Sequence, residues 1–297
     1  MLRGLYKGQI MAETVNVNQQ YHTHITSKRR KFEMNLKEVW QYRDLIVLFT
    51  KRNFKVAYKQ TVLGPAWIFI NPLLTSIIHT LVFGEIAGFG TDGIPKILFY
   101  FTSTALWGFF AACITNNAHA FTSNANVFGK VYFPRLTVPI SNILASVIRF
   151  GIQMIMVCAF LVFFLIRGEV HPNWAYWPLI PLVLLQLGMM GLGVGIIVSS
   201  LTTKYRDLSI LVGFGVQLWM YATPIVYSLS IVGPSFTRTV MLINPVTMPV
   251  EVFRYAFLGK GTIEPLYLVI SIVFTFVVLL AGIMIFNRVE KTFMDTV

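Results

Sequence analysis

Few side chains in this sequence are of types that could do chemistry, and their spacing matches no catalytic set. The run from Gly259 to Thr262 reads Gly-Lys-Gly-Thr, but the longer spacing of a phosphate-binding loop is absent. His22 and His24 lack a matching third ligand nearby, so a solvated tail is favoured over a metal site. The apolar segments contain no clustered carboxylates and no Ser/His/Asp set. We therefore predict no catalytic residue, no metal site and no enzyme activity of the chain alone.

Composition places the chain in a membrane. Hydrophobic residues make up 56% of the sequence and charged residues only 12%, whereas about a quarter of the residues in soluble domains are charged. The net charge is +12, and the Lys and Arg residues cluster beside apolar segments. That distribution favours anionic lipid headgroups over nucleic acid as the partner. Cys113 and Cys158 lie inside apolar runs and are interpreted as reduced packing residues.

Six segments are long and apolar enough to be transmembrane helices, which need about 20 residues each. An even number of spans leaves both termini on one side, and the excess of Lys and Arg there predicts that this side is cytoplasmic. The fold class is therefore an all-α polytopic membrane protein with six spans. The predicted spans cover residues 66–87, 97–117, 138–166, 175–201, 209–228 and 265–287.

The segment before the first span predicts an amphipathic helix. Residues 1–35 are polar and read as a flexible cytoplasmic tail, and residues 36–64 carry an apolar and a basic face. Gly64 and Pro65 then turn the chain into the six-span domain of residues 65–297. An interfacial helix is favoured, and the alternative is a soluble helix packed on a domain core.

Two connections are too apolar for ordinary loops. Residues 229–262 contain several prolines, which argues against a seventh span and predicts short helices that re-enter the outer leaflet. Asn244 and Pro245 would start one of them, and Glu251 and Arg254 could pair at i and i+3. On the inner side, residues 124–136 are amphipathic, which predicts a docking element instead of a plain loop.

Arg149 and several aromatic residues are the remaining signals within the spans. An arginine inside the bilayer must face protein, water or an anion, so Arg149 either pairs across helices or contacts a translocated phosphate group. Trp107, Trp219 and Tyr221 either belong to an interfacial aromatic belt or line a path on which sugar rings stack. The acidic residues near the membrane lie at span ends or in loops, which disfavours a proton- or sodium-coupled carrier.

Four stretches together resemble the permeases of polysaccharide-exporting ABC transporters, a type 2 ABC permease family that includes O-antigen, capsule and wall teichoic acid exporters. The resemblance covers the chain from about Leu36 to its C-terminus. It implies a homodimer of six-span subunits in the bacterial plasma (inner) membrane, with two separate ATP-binding subunits. The stretches are YKQTVLGPAWIFINPLL (58–74), VFGKVYFPRLTVPIS (127–141), TTKYRDLS (202–209) and NPVTMPVEVFRYAFLG (244–259).

The resemblance also implies roles for individual residues. Phe128, Tyr132 and Phe133 would insert into the ATPase from a coupling helix at residues 127–135, which includes Pro134, with Lys130 and Arg135 around the contact. The outer gate helices would include Asn244, Pro245, Glu251 and Arg254. No cofactor is expected on this chain, because ATP and Mg would bind the partner subunit.

The substrate implied by the resemblance is a lipid-linked polysaccharide that moves outward. Arg52, Lys55, Tyr58 and Lys59 then become candidate headgroup or pyrophosphate contacts at the entrance, and the alternative is anchoring to bulk anionic lipid. Within the same class, the export of a drug or a smaller lipid is the nearest competing function, and an ion-coupled carrier is a more distant one.

Overall fold

The computed structural model describes residues 36–296 except for 60, 129, 204 and 206. The predicted tail of residues 1–35, with His22 and His24, lies outside the described residues. In the described part the regular structure is entirely helical. Eleven helices follow one another as α1 Leu36–Gln41, α2 Arg43–Tyr58, α3 Trp67–His79, α4 Lys96–Ala118, α5 Ala120–Phe128, α6 Thr137–Ile166, α7 Ile180–Thr202, α8 Leu208–Tyr221, α9 Phe236–Ile243, α10 Thr247–Leu258 and α11 Pro265–Thr296.

Five of the six predicted spans are helices that are long and apolar enough to cross a membrane. The first of them begins with a 3-10 turn at Gly64–Ala66 and continues beyond α3 as a π-helix, Thr80–Ile86. The fourth begins with the 3-10 turn Trp174–Leu179. The five run over Gly64–Ile86, Lys96–Ala118, Thr137–Ile166, Trp174–Thr202 and Pro265–Val289.

The fifth predicted span is shorter than expected. We predicted residues 209–228, whereas α8 ends at Tyr221 and has 14 residues, a length of about 21 Å. The helix ends just before Pro224, and the residue that precedes a proline avoids the helical conformation. A hydrocarbon core of about 30 Å therefore exceeds the length of α8.

Close helix packing in the core depends on glycines of α7. A Cβ atom at Gly191 would lie 2.6 Å from Cys113 Cβ on α4, and one at Gly195 would lie 2.6 Å from Asn117 Cβ. Gly193 faces α11, where an added Cβ would lie 2.8 Å from the Leu279 nitrogen. Gly191 and Gly195 form a GxxxG pattern, which is typical of helices that pack closely. α7 thus lies between α4 and α11.

The predicted interface helix is interrupted. One helix was expected over residues 36–64, but the chain forms α1 and α2 with a break at Tyr42, and α2 ends at Tyr58. Ile46 and Phe49 are buried on one side of α2, which packs on α6. Lys59 leaves the helical conformation, and the chain then turns at Gly64, whose φ of +53° suits glycine.

The two helices before α11 lie at the end of the bundle away from α5. α9 and α10 have 8 and 12 residues, about 12 and 18 Å, which is too short to cross a bilayer. The carbonyl oxygen of Ala256 in α10 accepts hydrogen bonds from Asn173 N and Trp177 Nε1, both at 3.1 Å. α10 is therefore anchored to the connection between α6 and α7.

Candidate functional site

The connection between α4 and α6 is a helix followed by a short loop. A coupling helix was predicted at residues 127–135, within the segment 124–136, but the helix is Ala120–Phe128 and residues 132–134 are not helical. The position of that helix was therefore predicted wrongly. Pro134 explains the difference, because it disfavours a helical conformation at Phe133.

Both ends of this loop pack against the helix bundle through a cluster of aromatic residues. The rings of Phe128 and Phe133 lie 5.6 Å apart, and Phe133 also contacts Phe49 of α2 at 5.7 Å. Phe121 of α5 stacks on Phe286 of α11 with ring centroids 4.4 Å apart. Such aromatic pairs add to the stabilisation that comes from apolar burial. The loop is thus held against α2, α5 and α11.

Among the described residues of this loop, those in the middle are exposed. The exposed fractions are 60% for Val131 and 70% for Tyr132, and Lys130 is also exposed. Phe128 and Phe133 are only 4% and 5% exposed. The prediction that these two rings insert into a partner was wrong for this structure, because they fill the chain's own core.

Two further contacts shape the loop. The Tyr132 hydroxyl donates to Glu38 Oε1 of α1 at 3.3 Å. Arg135 is buried, with its guanidinium carbon 5.5 Å from the centre of the Phe128 ring. Arg135 therefore makes a cation–π contact inside the chain. It does not lie around the predicted contact with the ATPase.

The predicted entrance residues lie on α2, except for Lys59 directly after it, and Arg149 lies beside them. Lys55 and Lys59 are exposed, and Arg52 and Tyr58 are partly buried. The Arg149 guanidinium carbon lies 5.6 Å from the centre of the Tyr58 ring. Arg149, which the sequence offered as a channel-lining residue, thus belongs structurally with the entrance set.

Amide side chains connect α2, α4, α5 and α6 in this region. Arg52 Nη2 donates to Asn124 Oδ1 of α5 at 3.1 Å. Asn53 Nδ2 donates to Asn142 Oδ1 of α6 at 2.8 Å, and Asn142 Nδ2 donates to Asn117 Oδ1 of α4 at 3.1 Å. The four helices share a hydrogen-bonded network that the sequence reasoning missed. The sequence feature that could have indicated this network is a set of asparagines near apolar spans, at positions 53, 116, 117, 124 and 142.

At the other end of the bundle, Glu251 and Arg254 of α10 form the predicted ion pair. Their side chains are 0% and 1% exposed. Arg254 also donates to Ser103 Oγ at 3.1 Å and to the Pro224 carbonyl, and its guanidinium carbon lies 4.3 Å from the centre of the Phe99 ring. The pair thus joins α10 to α4 and to the segment after α8.

The Glu251 carboxyl has a second tie. Its Oε2 accepts the Thr262 backbone N–H at 2.8 Å. Burial raises the pKa of Glu251, while the Arg254 guanidinium and the Thr262 N–H lower that pKa. The pair and the amide together fix the chain on both sides of the α10 C-terminus.

Asn244 connects α8, α9 and α10. Its Oδ1 accepts from Trp219 Nε1 at 3.0 Å and from Val246 N at 3.1 Å. Its Nδ2 donates to Ala222 O at 3.0 Å and to Thr223 Oγ1 at 2.9 Å. The adjoining Pro245 carbonyl accepts from Ser271 Oγ of α11. All four hydrogen-bonding positions of this amide are filled.

The three predicted channel aromatics do not form one surface. Trp107 is buried in the core beside Phe110, at 5.4 Å between ring centroids, and Trp219 contacts the same Phe110 from α8. Tyr221 is exposed and lies 6.4 Å from Phe83 of the π-helix. Tyr221 is therefore the accessible member of the three.

Sequence reasoning missed the partners of Tyr221. Phe83 stacks on Phe89 at 6.0 Å, and Phe89 contacts Tyr227 edge-on at 6.4 Å. The sequence does show aromatic residues at the ends of the first and fifth apolar segments. Their contact could not be predicted, because it forms only when the fold brings the two segments together. Across the residues that the structure describes, His, Cys, Asp and Glu form no group suited to a metal ion.

Long apolar helices, an exposed loop at one end and two short helices at the other fit a multi-pass membrane protein. The chain belongs to the ABC-2 type transporter family, which matches residues 44–258. This range covers nearly all of the chain from α2 to α10, and it confirms the resemblance found in the sequence. The chain is thus a transport component.

The chain is similar to several permeases. Two relatives from Klebsiella pneumoniae, each called O-antigen export system permease protein RfbA, are 30% and 31% identical to it over 253 residues. Each alignment covers 85% of this chain and 94% of the relative. A protein of the same name from Myxococcus xanthus is 27% identical over 214 residues, which is 71% of this chain and 78% of that protein.

Proposed function

We propose that this chain is the membrane subunit of an ATP-driven exporter that moves a lipid-linked polysaccharide outward across the bacterial inner membrane. Family membership and the names of the three relatives support polysaccharide as the cargo. ATP and Mg bind a separate ATPase subunit, and two copies of each subunit form the transporter. Export of a drug or a smaller lipid is the nearest alternative within the family.

The observation that carries the proposal is the loop between α5 and α6. Lys130, Val131 and Tyr132 are exposed, while Phe128 and Phe133 hold the loop ends in the core. An exposed apolar and aromatic tip on a fixed base suits a stable contact with another protein. ATP-driven closure of the ATPase pair would push on this tip and displace α5 and α6.

The topology of the proposed exporter has six spans, with α8 as the short fifth one and both termini in the cytoplasm. The excess of Lys and Arg near the N-terminus and around residues 130–135 supports this orientation. α9 and α10 then lie on the outer side as re-entrant gate helices, with Asn244, Pro245, Glu251 and Arg254 holding them in place. Tyr221 and its aromatic neighbours face the path of the polymer, since sugar rings stack on such faces.

An export assay on the complex tests the proposal. Tyr132→Asp places a charge at the docking tip without touching the core, so it is expected to reduce co-purification of the ATPase and polymer export at least tenfold. Trp174→Asp is the matched control, because Trp174 is also an exposed aromatic residue but lies at the far end of α6. Full export by the Tyr132 variant would contradict the coupling role.

A second measurement separates the competing classes. The purified chain alone, in liposomes with a proton or sodium gradient, is expected to transport nothing. Transport under those conditions would favour an ion-coupled carrier. With the ATPase present, export of the polymer but not of small amphiphilic drugs is the expected result, and the reverse preference would favour a drug exporter.

A further inference from the structure

The loop between the first two spans is tied to the segment after α8 by one acidic side chain. This loop, residues 87–95, connects the π-helix to α4. The Asp92 carboxylate accepts hydrogen bonds from the hydroxyls of Ser228 and Ser230. We call these three residues the outer clasp. The clasp joins two stretches of the chain that lie far apart in the sequence.

The backbone of the loop adopts an uncommon conformation at the clasp. Asp92 has a φ of +54°, and no other residue except glycine has a positive φ in the described part of the chain. A side chain makes this conformation unfavourable, although Asp tolerates it better than most residues do. Gly88 and Gly93 lie on either side of Asp92, with φ values of +68° and +78°. A strained residue between two glycines is typical of segments that change conformation.

The two sides of the clasp differ in how firmly they are held. On the serine side, Leu229 is buried between the two serines, and Arg238 Nη1 donates to Val232 O at 3.0 Å. On the loop side, the Thr91 hydroxyl donates to Ile94 O at 2.6 Å, and Ile94 N donates to Thr91 O at 3.0 Å. These two hydrogen bonds stay within the loop. The loop is therefore the side of the clasp that is free to move.

The chemistry of the clasp allows it to open and close. A charged acceptor strengthens the two hydrogen bonds of Asp92, but no Lys or Arg pairs with Asp92 in the part of the chain that the structure describes. Because Asp92 is only half-buried, water can take the place of the hydroxyls. The Ser228 and Ser230 oxygens lie 3.0 Å apart, so these hydroxyls keep a partner in each other. Opening therefore leaves none of the three side chains without a hydrogen bond.

The contacts that hold α9 and α10 are of a different kind. The side chains of Glu251 and Arg254 are 0% and 1% exposed, and separating them would leave a buried charge without its partner. Asn244 has all its hydrogen-bonding positions filled by α8, by the segment after it and by the start of α10. Movement of these helices would break buried polar contacts, whereas movement of the loop exchanges the clasp for water.

The clasp also lies where two weakly covered helices meet. α3 packs on α4 and α6, and α8 packs on α4 and α7, so both helices flank α4. Their outer ends approach each other through two ring contacts, Phe83 with Tyr221 and Phe89 with Tyr227, each at 6.4 Å. In both stretches the clasp residues follow just after these rings. The clasp thus closes the junction beside Tyr221, which the proposed function places on the path of the polymer.

From these contacts we infer that the outer clasp holds the first outer loop on the segment after α8 in the resting transporter, and that it must open for the polymer to leave. The inference rests on the proposed function for its cargo and its outward direction. It assigns the opening movement to residues 87–93, while α9 and α10 stay in place on their buried polar contacts.

The first experiment locks the clasp in the complex of the full chain with its ATPase. Asp92→Cys and Ser228→Cys are combined, and oxidation joins the two positions through a disulfide. Oxidation is expected to reduce polymer export at least tenfold, and a reductant should restore it. Each single variant is a matched control for the native Cys113 and Cys158, and it should export equally well with and without the oxidant.

Two results of the locking experiment would overturn the inference. One is full export by a complex in which mass spectrometry shows complete crosslinking, because the clasp then need not open. The other is a pair that neither the oxidant nor a short bifunctional thiol reagent can join, because the clasp residues would then not be in contact.

The second experiment measures backbone hydrogen exchange in the wild-type complex, without nucleotide and after trapping with ATP and vanadate. Exchange at residues 87–94 should rise at least fivefold in the trapped complex. Exchange at residues 247–258 of α10 should change less than twofold. A rise in α10 without one in the loop, or no change in either, would overturn the assignment of the movement.

A third measurement tests the clasp in the full chain without its ATPase. Asp92→Asn should raise hydrogen exchange at residues 87–94 at least threefold, because a neutral amide holds the two hydroxyls less strongly than a carboxylate does. Asp44→Asn is the matched control, since Asp44 is an exposed acid on α2, and it should leave this exchange unchanged. Equal exchange in the Asp92 variant and the wild type would show that other contacts hold the loop.

Failure of the inference and failure of the proposed function are distinguishable. Polymer export that continues through the crosslinked complex overturns the inference alone. A wild-type complex that forms and hydrolyses ATP but exports no polysaccharide overturns the proposed function.

Discussion

The carboxyl of Glu251 and the guanidinium of Arg254 form an ion pair with almost no solvent exposure, one turn apart on α10. Breaking such a pair by removing one partner leaves a buried charge, which costs about 3–5 kcal/mol. We expect Glu251→Gln to lower the free energy of unfolding by this amount, as measured by transfer from mild detergent into SDS.

Two comparisons sharpen this prediction. The double variant Glu251→Leu, Arg254→Met should be less destabilised than Glu251→Gln, because no uncompensated charge remains. Glu264→Gln is the exposed control, since Glu264 contacts Arg238 only at 3.8 Å, and it should cost less than about 1 kcal/mol. A Glu251→Gln variant as stable as this control would show that the pair does not hold α10.

The second prediction concerns the close packing of Gly193 of α7 against α11. An alanine Cβ there would meet the backbone of Leu279 on α11 at 2.8 Å. Because backbone cannot move aside as a side chain can, Gly193→Ala should lower the free energy of unfolding by about 1–3 kcal/mol. Gly188→Ala on the same helix meets neighbours only at ordinary contact distance, 3.6 Å. The two thermal unfolding curves in detergent should therefore separate, and coincident curves would contradict this packing.

Asn244 supports the third prediction. Asn244→Ala leaves Trp219 Nε1 and the Val246 N–H without their acceptor, so it should cost about 1–3 kcal/mol. Hydrogen exchange at residues 236–247 should rise with it, because α9 and α10 lose their common tie. Thr239→Ala, on the exposed side of α9, serves as the control. Unchanged exchange in the Asn244 variant would show that the helices are held by other contacts.

Local sequence was sufficient for most of the helices. An apolar run of about 20 residues can satisfy its backbone in a membrane only as a helix, so five spans followed directly from composition. The helix ends were predicted less well, because the effect of a proline depends on where it lies in the helix. Pro224 ends α8 early, and Pro134 turns half of a predicted helix into a loop.

The site was harder to predict, because its contacts join residues far apart in the chain. Arg149 meets Tyr58 and Asn53 across about ninety residues, and no local pattern encodes that approach. The aromatic residues at 128 and 133 illustrate the opposite error. Their apolar character was read correctly, but whether a ring faces a partner or the chain's own core is decided by Phe49 and its neighbours.

The buried rings of Phe128 and Phe133 at the two ends of the loop also bear on how the loop would respond to force. A free loop of this length would bend under a push and dissipate the displacement. Because Phe128 and Phe133 are packed against Phe49 and the cluster that contains Phe286, we expect the tip at Tyr132 to move together with the base of the loop. In the proposed exporter, a movement applied at this tip would therefore reach α2, α6 and α11 together, and bending of the loop would absorb little of it.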